Sequence, residues 1–374
     1  MADVKVLMLG GRRCGKSSIL SSMVGELTTN LLLKQYVNIE NTGKGETNGV
    51  SLEQKHNRLL SFMDKEQHPR GSYYLVDFHA DQYFSSYIFK VRIPGKRGSM
   101  SIEFVDAPGE SYENMSDHHE RVCKEMNDTD VYVIVVDTPY LMESDQGKFQ
   151  SVNCVMEICN MFDSYAPFDP TWKRKKVIFV PVKCEKWKDQ LNIVTEKLKV
   201  AYKSLIDRLQ KESRFSYSVL PVLTAGGIRF GEFGAPELLH TVEMGQNEFV
   251  KCSHLGSGKH ITQVRTEDGD NYFLEDEDKV VKNAEYTDVS PAFPYYSWFK
   301  SVGDFSPMHC DQLALHILRF LIYRFKIDVN HHLLPAFLTG DLRIKDMEQL
   351  LQTLAAKQLI KDEGDGISHM RKLE

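Results

Sequence analysis

The sequence predicts an α/β fold in which a mostly parallel sheet carries helices on both faces. Three observations predict it. Short apolar runs recur at Val4–Leu9, Val131–Val136, Val177–Val182 and Val219–Leu223, the texture of strands buried on both sides. Between them lie stretches with apolar residues at helical spacing, and alternation of this kind builds a parallel sheet through right-handed crossovers. The first run ends in Gly10-Gly11-Arg12-Arg13-Cys14-Gly15-Lys16-Ser17-Ser18 and opens onto a helix reaching Leu27. A glycine-rich turn between strand and helix lies at the carboxyl end of the sheet, where parallel sheets bind ligands.

The elements follow in order. After the first helix, Asn38–Gly49 is rich in Gly, Asn and Thr and reads as a mobile loop. Ser51–Lys65 reads as a helix, with Leu52, His56, Leu59, Leu60 and Met63 on one face. Tyr83–Ile93 and Ser101–Val105 flank the turn Pro94-Gly95-Lys96-Arg97-Gly98 and predict a hairpin. Glu110–Met126 is polar and partly helical. Phe149–Phe162 reads as one amphipathic helix and Trp187–Glu212 as a long one. The basic run Lys173-Arg174-Lys175-Lys176 reads as a solvated strand entry.

Beyond residue 227 the texture changes. Short β-like pieces at Glu248–Cys252, His260–Val264 and Asn271–Leu274 alternate with Gly-Ser and acidic turns. The division expected is a core over 1–227, a β-rich insertion over 228–303, a closing helix of the core over 304–326 and a helical tail over 327–374. Cys310–Tyr323 and Ile344–Lys357 are the clearest helical pieces of the last two.

Composition bounds the function. The chain has 374 residues, 42% hydrophobic and 26% charged, with a formal net charge of -6. Those values are ordinary for a globular protein and make no electrostatic case for nucleic acid. No apolar run is long enough to span a bilayer and no signal peptide is evident, so a cytoplasmic location is expected. Seven scattered cysteines without a Cys-x-x-Cys pair argue for a reducing compartment and against a disulfide framework or a zinc site.

The chemistry is concentrated at strand ends. Gly10, Gly15, Lys16 and Ser17 occupy the fixed positions of the phosphate-binding P-loop, G-x-x-x-x-G-K-[ST]. Such a loop turns backbone N–H groups from Arg12 to Ser18 inward as an anion nest, at a helix N-terminus that adds positive potential. Lys16 brings a cation to the outer phosphates and the Ser17 hydroxyl is a candidate Mg²⁺ ligand. Asp106-Ala107-Pro108-Gly109, after the hairpin, supplies a carboxylate for the metal and a backbone N–H for a terminal phosphate. Asp137 also ends an apolar strand, but Asp106 already fills the metal role, and a structural strand-tip aspartate is the simpler reading. Val182-Lys183-Cys184-Glu185 and Thr224-Ala225-Gly226 follow the last two strands.

This succession resembles the Ras-like, translation-factor-class (TRAFAC) P-loop GTPases, whose order is P-loop, switch threonine, D-x-x-G, N-K-x-D and S-A-K. The resemblance covers roughly residues 1–227 and the helix near 306–325. It implies bound GTP or GDP with Mg²⁺, GTP hydrolysis, and a protein effector or regulator that reads the nucleotide state. By position, Lys16 would neutralise the phosphates, Ser17 and Asp106 would hold the metal, and Gly109 would sense the γ-phosphate. Lys183 would pack its stem on the base and Glu185 would accept the base's N–H donors. Thr224 and the Ala225 N–H would border the base, the latter facing its carbonyl oxygen. The switch threonine that joins the metal is Thr47 or Thr42, with Thr47 favoured. Two departures stand out. The family's Asn is Val182, and its Asp is Glu185, whose extra methylene moves the carboxylate outward. The family's catalytic Gln is Glu110, which implies slow hydrolysis. Guanine preference, an ATPase or a nucleoside-triphosphate hydrolase of relaxed base choice, and a non-hydrolysing nucleotide-binding scaffold all stay open. The Asp-Ala-Pro-Gly-Glu run, the widened switch region and the late helix entry at Phe305-Ser306-Pro307 resemble the bacterial double-GTPase branch of this class.

Other groupings carry less. Cys14 is a candidate for raised reactivity beside Lys16, although an inert loop residue is the simpler reading. Arg12 or Arg13 is a candidate internal arginine finger, against the simpler reading of solvated loop arginines. Asp117-His118-His119-Glu120 reads as a surface helix rather than a metal cluster, since adjacent helical residues do not face one another. Tyr295, Tyr296, Trp298 and Phe299 read as packing aromatics.

Overall fold

The computed structural model describes residues 4–29, 38–41, 52–61, 73–75, 84–92, 100–112, 119–144, 146–165, 174–212, 215–233, 241–244, 247–255, 259–266, 269–276, 279–282, 297–330 and 344–357. The fold is mixed α/β. Its main sheet has seven strands: β1 (Val4–Leu9), β2 (Asn38–Asn41), β4 (Ser85–Arg92), β5 (Met100–Asp106), β6 (Val131–Asp137), β7 (Lys175–Val182) and β8 (Phe215–Val219). They lie in the order β2-β4-β5-β1-β6-β7-β8. The neighbours from β5 to β8 are all parallel, while β4 runs antiparallel to both β2 and β5.

The strand alternation sorts two cores. On β6, Val131, Val133 and Val135 join one apolar cluster while Tyr132, Ile134 and Val136 join the other. The first cluster packs against α1 (Lys16–Thr29), α9 (Cys310–Asn330) and α10 (Ile344–Lys357). The second packs against α3 (His119–Asp128), α6 (Val155–Tyr165), α7 (Leu191–Ala201) and α8 (Lys203–Lys211). Helices therefore cover both faces, which explains why the central strands are apolar without interruption. Helix α9 is buried on all sides from Leu313 to Leu318 and again from Phe320 to Arg324. It is part of the main core, although the whole β-rich stretch separates it from β8 in sequence.

Several expected elements are divided or moved. Asn38–Asn41, read as part of a mobile loop, is the edge strand β2, with Ile39 opposite Val91 of β4. The expected helix over 149–162 is two, α5 (Gln146–Val152) and α6, broken at Cys154, which has φ 49. The expected helix over 187–212 is a 3-10 turn (Cys184–Gln190) followed by α7 and α8. The break falls at Tyr202, whose ring is wholly buried against Phe149 and Phe179. That packing fixes a non-helical backbone in a segment whose periodicity is helical. A further helix, α4 (Thr138–Glu143), begins directly at Asp137. The second half of the basic run is not solvated. Lys175 and Lys176 are buried strand residues, and the Lys175 ammonium donates to the Asn127 carbonyl at 3.2 Å and to the Tyr132 hydroxyl at 3.2 Å. Strand β8 lies four residues earlier than expected, although Leu220 and Val222 still donate to the carbonyls of Phe179 and Pro181.

A second, eight-stranded sheet is built from β3 (Tyr73–Leu75), β9 (Ile228–Phe233), β10 (Thr241–Met244), β11 (Asn247–Leu255), β12 (Lys259–Thr266), β13 (Gly269–Asp276), β14 (Lys279–Lys282) and β15 (Ser297–Ser301). Its order is β14-β13-β12-β11-β3-β15-β9, with β10 paired to β11. Seven of its strands come from the stretch expected to be β-rich. The eighth, β3, comes from the segment between α2 (Leu52–Ser61) and β4, and joins the two halves of the sheet. No helix among the described residues is long and apolar enough to cross a membrane.

Burial of α9 makes it sensitive to truncation. Leu318→Ala is expected to cost about 2–5 kcal/mol, the usual range for deleting a buried leucine side chain, read as a lowered midpoint in urea unfolding.

Candidate functional site

The P-loop follows β1 and ends at the first turn of α1. Inside it the Lys16 side chain folds back, and its ammonium donates to the carbonyl oxygens of Gly10 at 2.6 Å and Gly11 at 2.9 Å. Lys16 is only 8% exposed. A buried ammonium needs such acceptors, and an arriving phosphate would supply stronger ones. The Ser17 hydroxyl donates to Asp106 Oδ2 at 2.6 Å. The two side chains expected to share a metal thus meet, although they lie 89 residues apart.

Gly109 begins a 3-10 turn directly after β5. Its backbone lies on the P-loop so closely that a Cβ there would stand 2.4 Å from the Arg12 nitrogen. Glycine is therefore required for the D-x-x-G turn to reach the phosphate loop. The side chains of Arg12 and Arg13 are exposed, and Arg13 adopts a left-handed backbone with φ 61. Cys14 is fully buried, and burial pushes its thiol up despite the nearby Lys16 and Lys183 charges. This agrees with the simpler reading of Cys14 as an inert residue: a thiol without solvent access and with a disfavoured thiolate packs rather than reacts.

The residues expected to border a base bond to one another and to neighbouring loops. Lys183 has a left-handed backbone, φ 60 and ψ 36. Its ammonium pairs with Asp137 Oδ2 at 2.5 Å and donates to the Arg13 carbonyl at 3.1 Å. It also lies 5.7 Å from the centre of the Phe299 ring. Asp137 caps α4, its Oδ1 accepting from the Tyr140 N–H at 3.3 Å, and its own N–H donates to Asn153 Oδ1 at 2.7 Å. Val182 is buried, with a methyl carbon 3.3 Å from where a Cβ on Gly15 would lie. Glu185 is buried, and its Oε1 accepts from the N–H groups of Ala225 at 2.9 Å and Gly226 at 3.2 Å. Burial raises its carboxyl above the ordinary glutamate value, while these two N–H donors and Lys183 pull it back down. Thr224 Oγ1 accepts from the Lys183 N–H at 3.4 Å, and the Thr224 carbonyl accepts from the Ser22 hydroxyl at 3.0 Å.

The structure thus assembles Lys16, Ser17, Asp106 and Gly109 at one end and Lys183, Glu185, Thr224 and Ala225 at the other, all beyond the carboxyl ends of their strands. Thr42 and Thr47 lie outside the described residues, as do Asp117 and His118. The Glu110 side chain also lies outside them, its backbone being in the 3-10 turn. His119 is described, and its Nδ1 lies 3.3 Å from the Ser111 carbonyl.

Three contributors were not read from the sequence. Asp137 was visible at a strand tip, but its bond to Lys183 was not. Asn153 and Phe299 carry no local signal for their places beside Asp137 and Lys183. Phe299, read only as a packing aromatic, is indeed buried.

The donor set fits a hard divalent cation. Mg²⁺ takes one or two protein oxygens and completes its shell with water and phosphate, and Ser17 with Asp106 offers that pair. Among the described residues there is no group of three or more His, Cys, Asp or Glu side chains able to hold a metal. No family model and no curated protein matches the chain.

The buried Glu185 carboxyl has a consequence for stability. Its raised value means that the folded state keeps this proton to higher pH than the unfolded chain, whose value is about 4.5. The folded state therefore loses stability as pH rises from that value through the folded one. Glu185→Gln keeps the acceptor for both N–H groups and removes the titration. Its melting temperature relative to the parent protein, without nucleotide, is expected to rise from pH 5 to pH 8.

Proposed function

We propose that the protein is a Mg²⁺-dependent nucleotide switch of the Ras-like GTPase layout, which binds a nucleoside triphosphate, hydrolyses it slowly and presents its state to a protein partner. The reading is carried by one observation: the Ser17 hydroxyl meets Asp106 Oδ2 at 2.6 Å beside a P-loop that encloses the Lys16 ammonium. The mostly parallel sheet and the hairpin strand before Asp106 agree with this layout. The triphosphate is argued from these residues. GTP, and a cytoplasmic setting, are argued from the resemblance and the composition.

In this reading, phosphate oxygens replace the Gly10 and Gly11 carbonyls as partners of Lys16. The N–H groups from Arg12 to Ser18 line the same anion. Ser17 and Asp106 hold Mg²⁺, which neutralises charge on the phosphates. Gly109, already in contact with the Arg12 backbone, offers its N–H to the terminal phosphate and so registers its presence. Loss of that phosphate would release the turn after β5 and the segment around residues 38–50, the parts a partner would read. In sequence, Glu110 takes the position of the family's water-orienting glutamine. A carboxylate there brings negative charge towards the γ-phosphate, which favours slow turnover.

Nucleotide should be released on heat denaturation of the purified protein and identified by ion-exchange chromatography. Lys16→Ala is expected to weaken triphosphate binding about 10- to 100-fold, the loss of charge-assisted hydrogen bonds worth about 1.5–3 kcal/mol. EDTA should weaken it as well. Partner-free turnover should stay below about one per minute, since intrinsic rates without a positioned glutamine and arginine finger are slow. Wild-type binding in both Lys16→Ala and Ser17→Asn would remove the reading.

A further inference from the structure

Recognition of guanine needs free groups of two kinds: an acceptor for the ring and exocyclic N–H donors, and a donor for the carbonyl oxygen. Adenine presents the opposite pattern at the same edge. Two of the groups expected to do this work, Glu185 Oε1 and the Ala225 N–H, are bonded to each other. Glu185 Oε1 takes both the Ala225 and the Gly226 N–H. The Ala225 N–H, the donor expected to face a base carbonyl, is thereby occupied. The Lys183 ammonium is divided between Asp137 and the Arg13 carbonyl. At Val182 the side chain has no amide, and its methyl groups pack towards Gly15.

The loop that Glu185 holds is also gripped from the opposite side. The Ala225 carbonyl accepts from the Ser306 N–H at 2.9 Å, and the Gly227 carbonyl accepts from Val302 at 2.9 Å and Gly303 at 3.2 Å. Leu223 and Met308 exchange both backbone hydrogen bonds, at 3.1 and 2.9 Å. Gly226 has φ +71, and a Cβ there would stand 2.0 Å from the Ser306 carbonyl oxygen. The residues that follow β15 therefore fasten residues 223–227 as an extension of the sheet edge. Moving Ala225 and Gly226 away to free the carboxylate would break bonds on both sides.

We infer that this nucleotide site does not select guanine over adenine, and that Glu185 is a positioning residue that latches the 224–227 loop rather than a reader of the base. The inference rests on the nucleotide-switch reading of the phosphate end. Affinity then comes from the triphosphate and its metal, and the base contributes stacking and shape. A site that leaves a buried polar group for one base rejects the wrong partner by about 10⁴-fold or more. Here Glu185 Oε1 and the Ala225 N–H already satisfy each other, so the two-oxygen grip on guanine N–H groups and the donor to its carbonyl, which would impose that penalty, are both taken.

The test is competition on the full-length protein with Mg²⁺: a fluorescently labelled GTP displaced by unlabelled GTP, ATP or CTP. GTP and ATP are expected to compete within about tenfold of each other, a difference of no more than about 1.4 kcal/mol. Glu185→Ala should loosen the loop and weaken GTP and ATP by the same factor, and Glu185→Gln, which keeps the acceptor, should restore both. A GTP preference above tenfold, or a Glu185→Ala loss confined to GTP, would overturn the inference and return the carboxylate to the base. If labelled GTP and all the competitors fail to bind, the nucleotide reading itself fails, and this inference with it. A melting curve for each variant confirms that a loss is not unfolding.

Discussion

The ammonium of Lys16 sits inside a loop of its own chain, against the carbonyl oxygens of Gly10 and Gly11, and much of the molecule serves to keep it there. A cation this buried is tolerable only where acceptors are held in place. The loop is held from below by β1, which lies between β5 and β6. It is held from the sides by neighbours that come very close. The Val152 carbonyl occupies the space next to Gly11, and Gly109 lies on Arg12. The Arg13 carbonyl is tied to Lys183. Each of these neighbours stands at or just beyond the end of a different strand or helix, so the carboxyl edge of the sheet holds the loop that its own glycines shape.

The same edge has two halves of different character. Beside the loop, Ser17 and Asp106 face each other through a single hydrogen bond. At the base end the polar groups bond to the protein. Asp137 links β6, the cap of α4 and Lys183, and Glu185 links the turn after β7 to the loop after β8. The aromatic cluster below this end, with Trp187 stacked on Phe230 and Phe230 edge-on to Phe299, brings the second sheet directly under Lys183.

The second sheet also meets the chain near the phosphate loop. Strand β3, which follows the segment expected to respond to the terminal phosphate, lies between β15 and β11. Strand β9 leaves the loop latched by Glu185, and the chain after β15 returns to fasten that loop. The second sheet therefore takes one strand, β3, from within the stretch of chain that supplies the main sheet.

How much of this was legible depended on whether the signal was local. Uninterrupted apolar runs and a glycine loop ahead of a helix are patterns within a few residues of each other, and they determined the parallel sheet, its two covered faces and the place of Lys16 and Ser17. The D-x-x-G turn was legible for the same reason. Breaks inside helical periodicity, at Cys154 and at the buried Tyr202, were not, because the cause lies in rings and backbone brought from other elements. Burial of Lys175 and Lys176 was hidden likewise, since four successive basic residues look solvated until Tyr132 and the Asn127 carbonyl are placed beside them. The sequence by itself determined which residue types stand at each strand end. Only the tertiary structure decided what they bond to: a carboxylate at position 185 can serve a base or a backbone loop, and the return of residues 302–308 across the sheet edge places the loop within its reach.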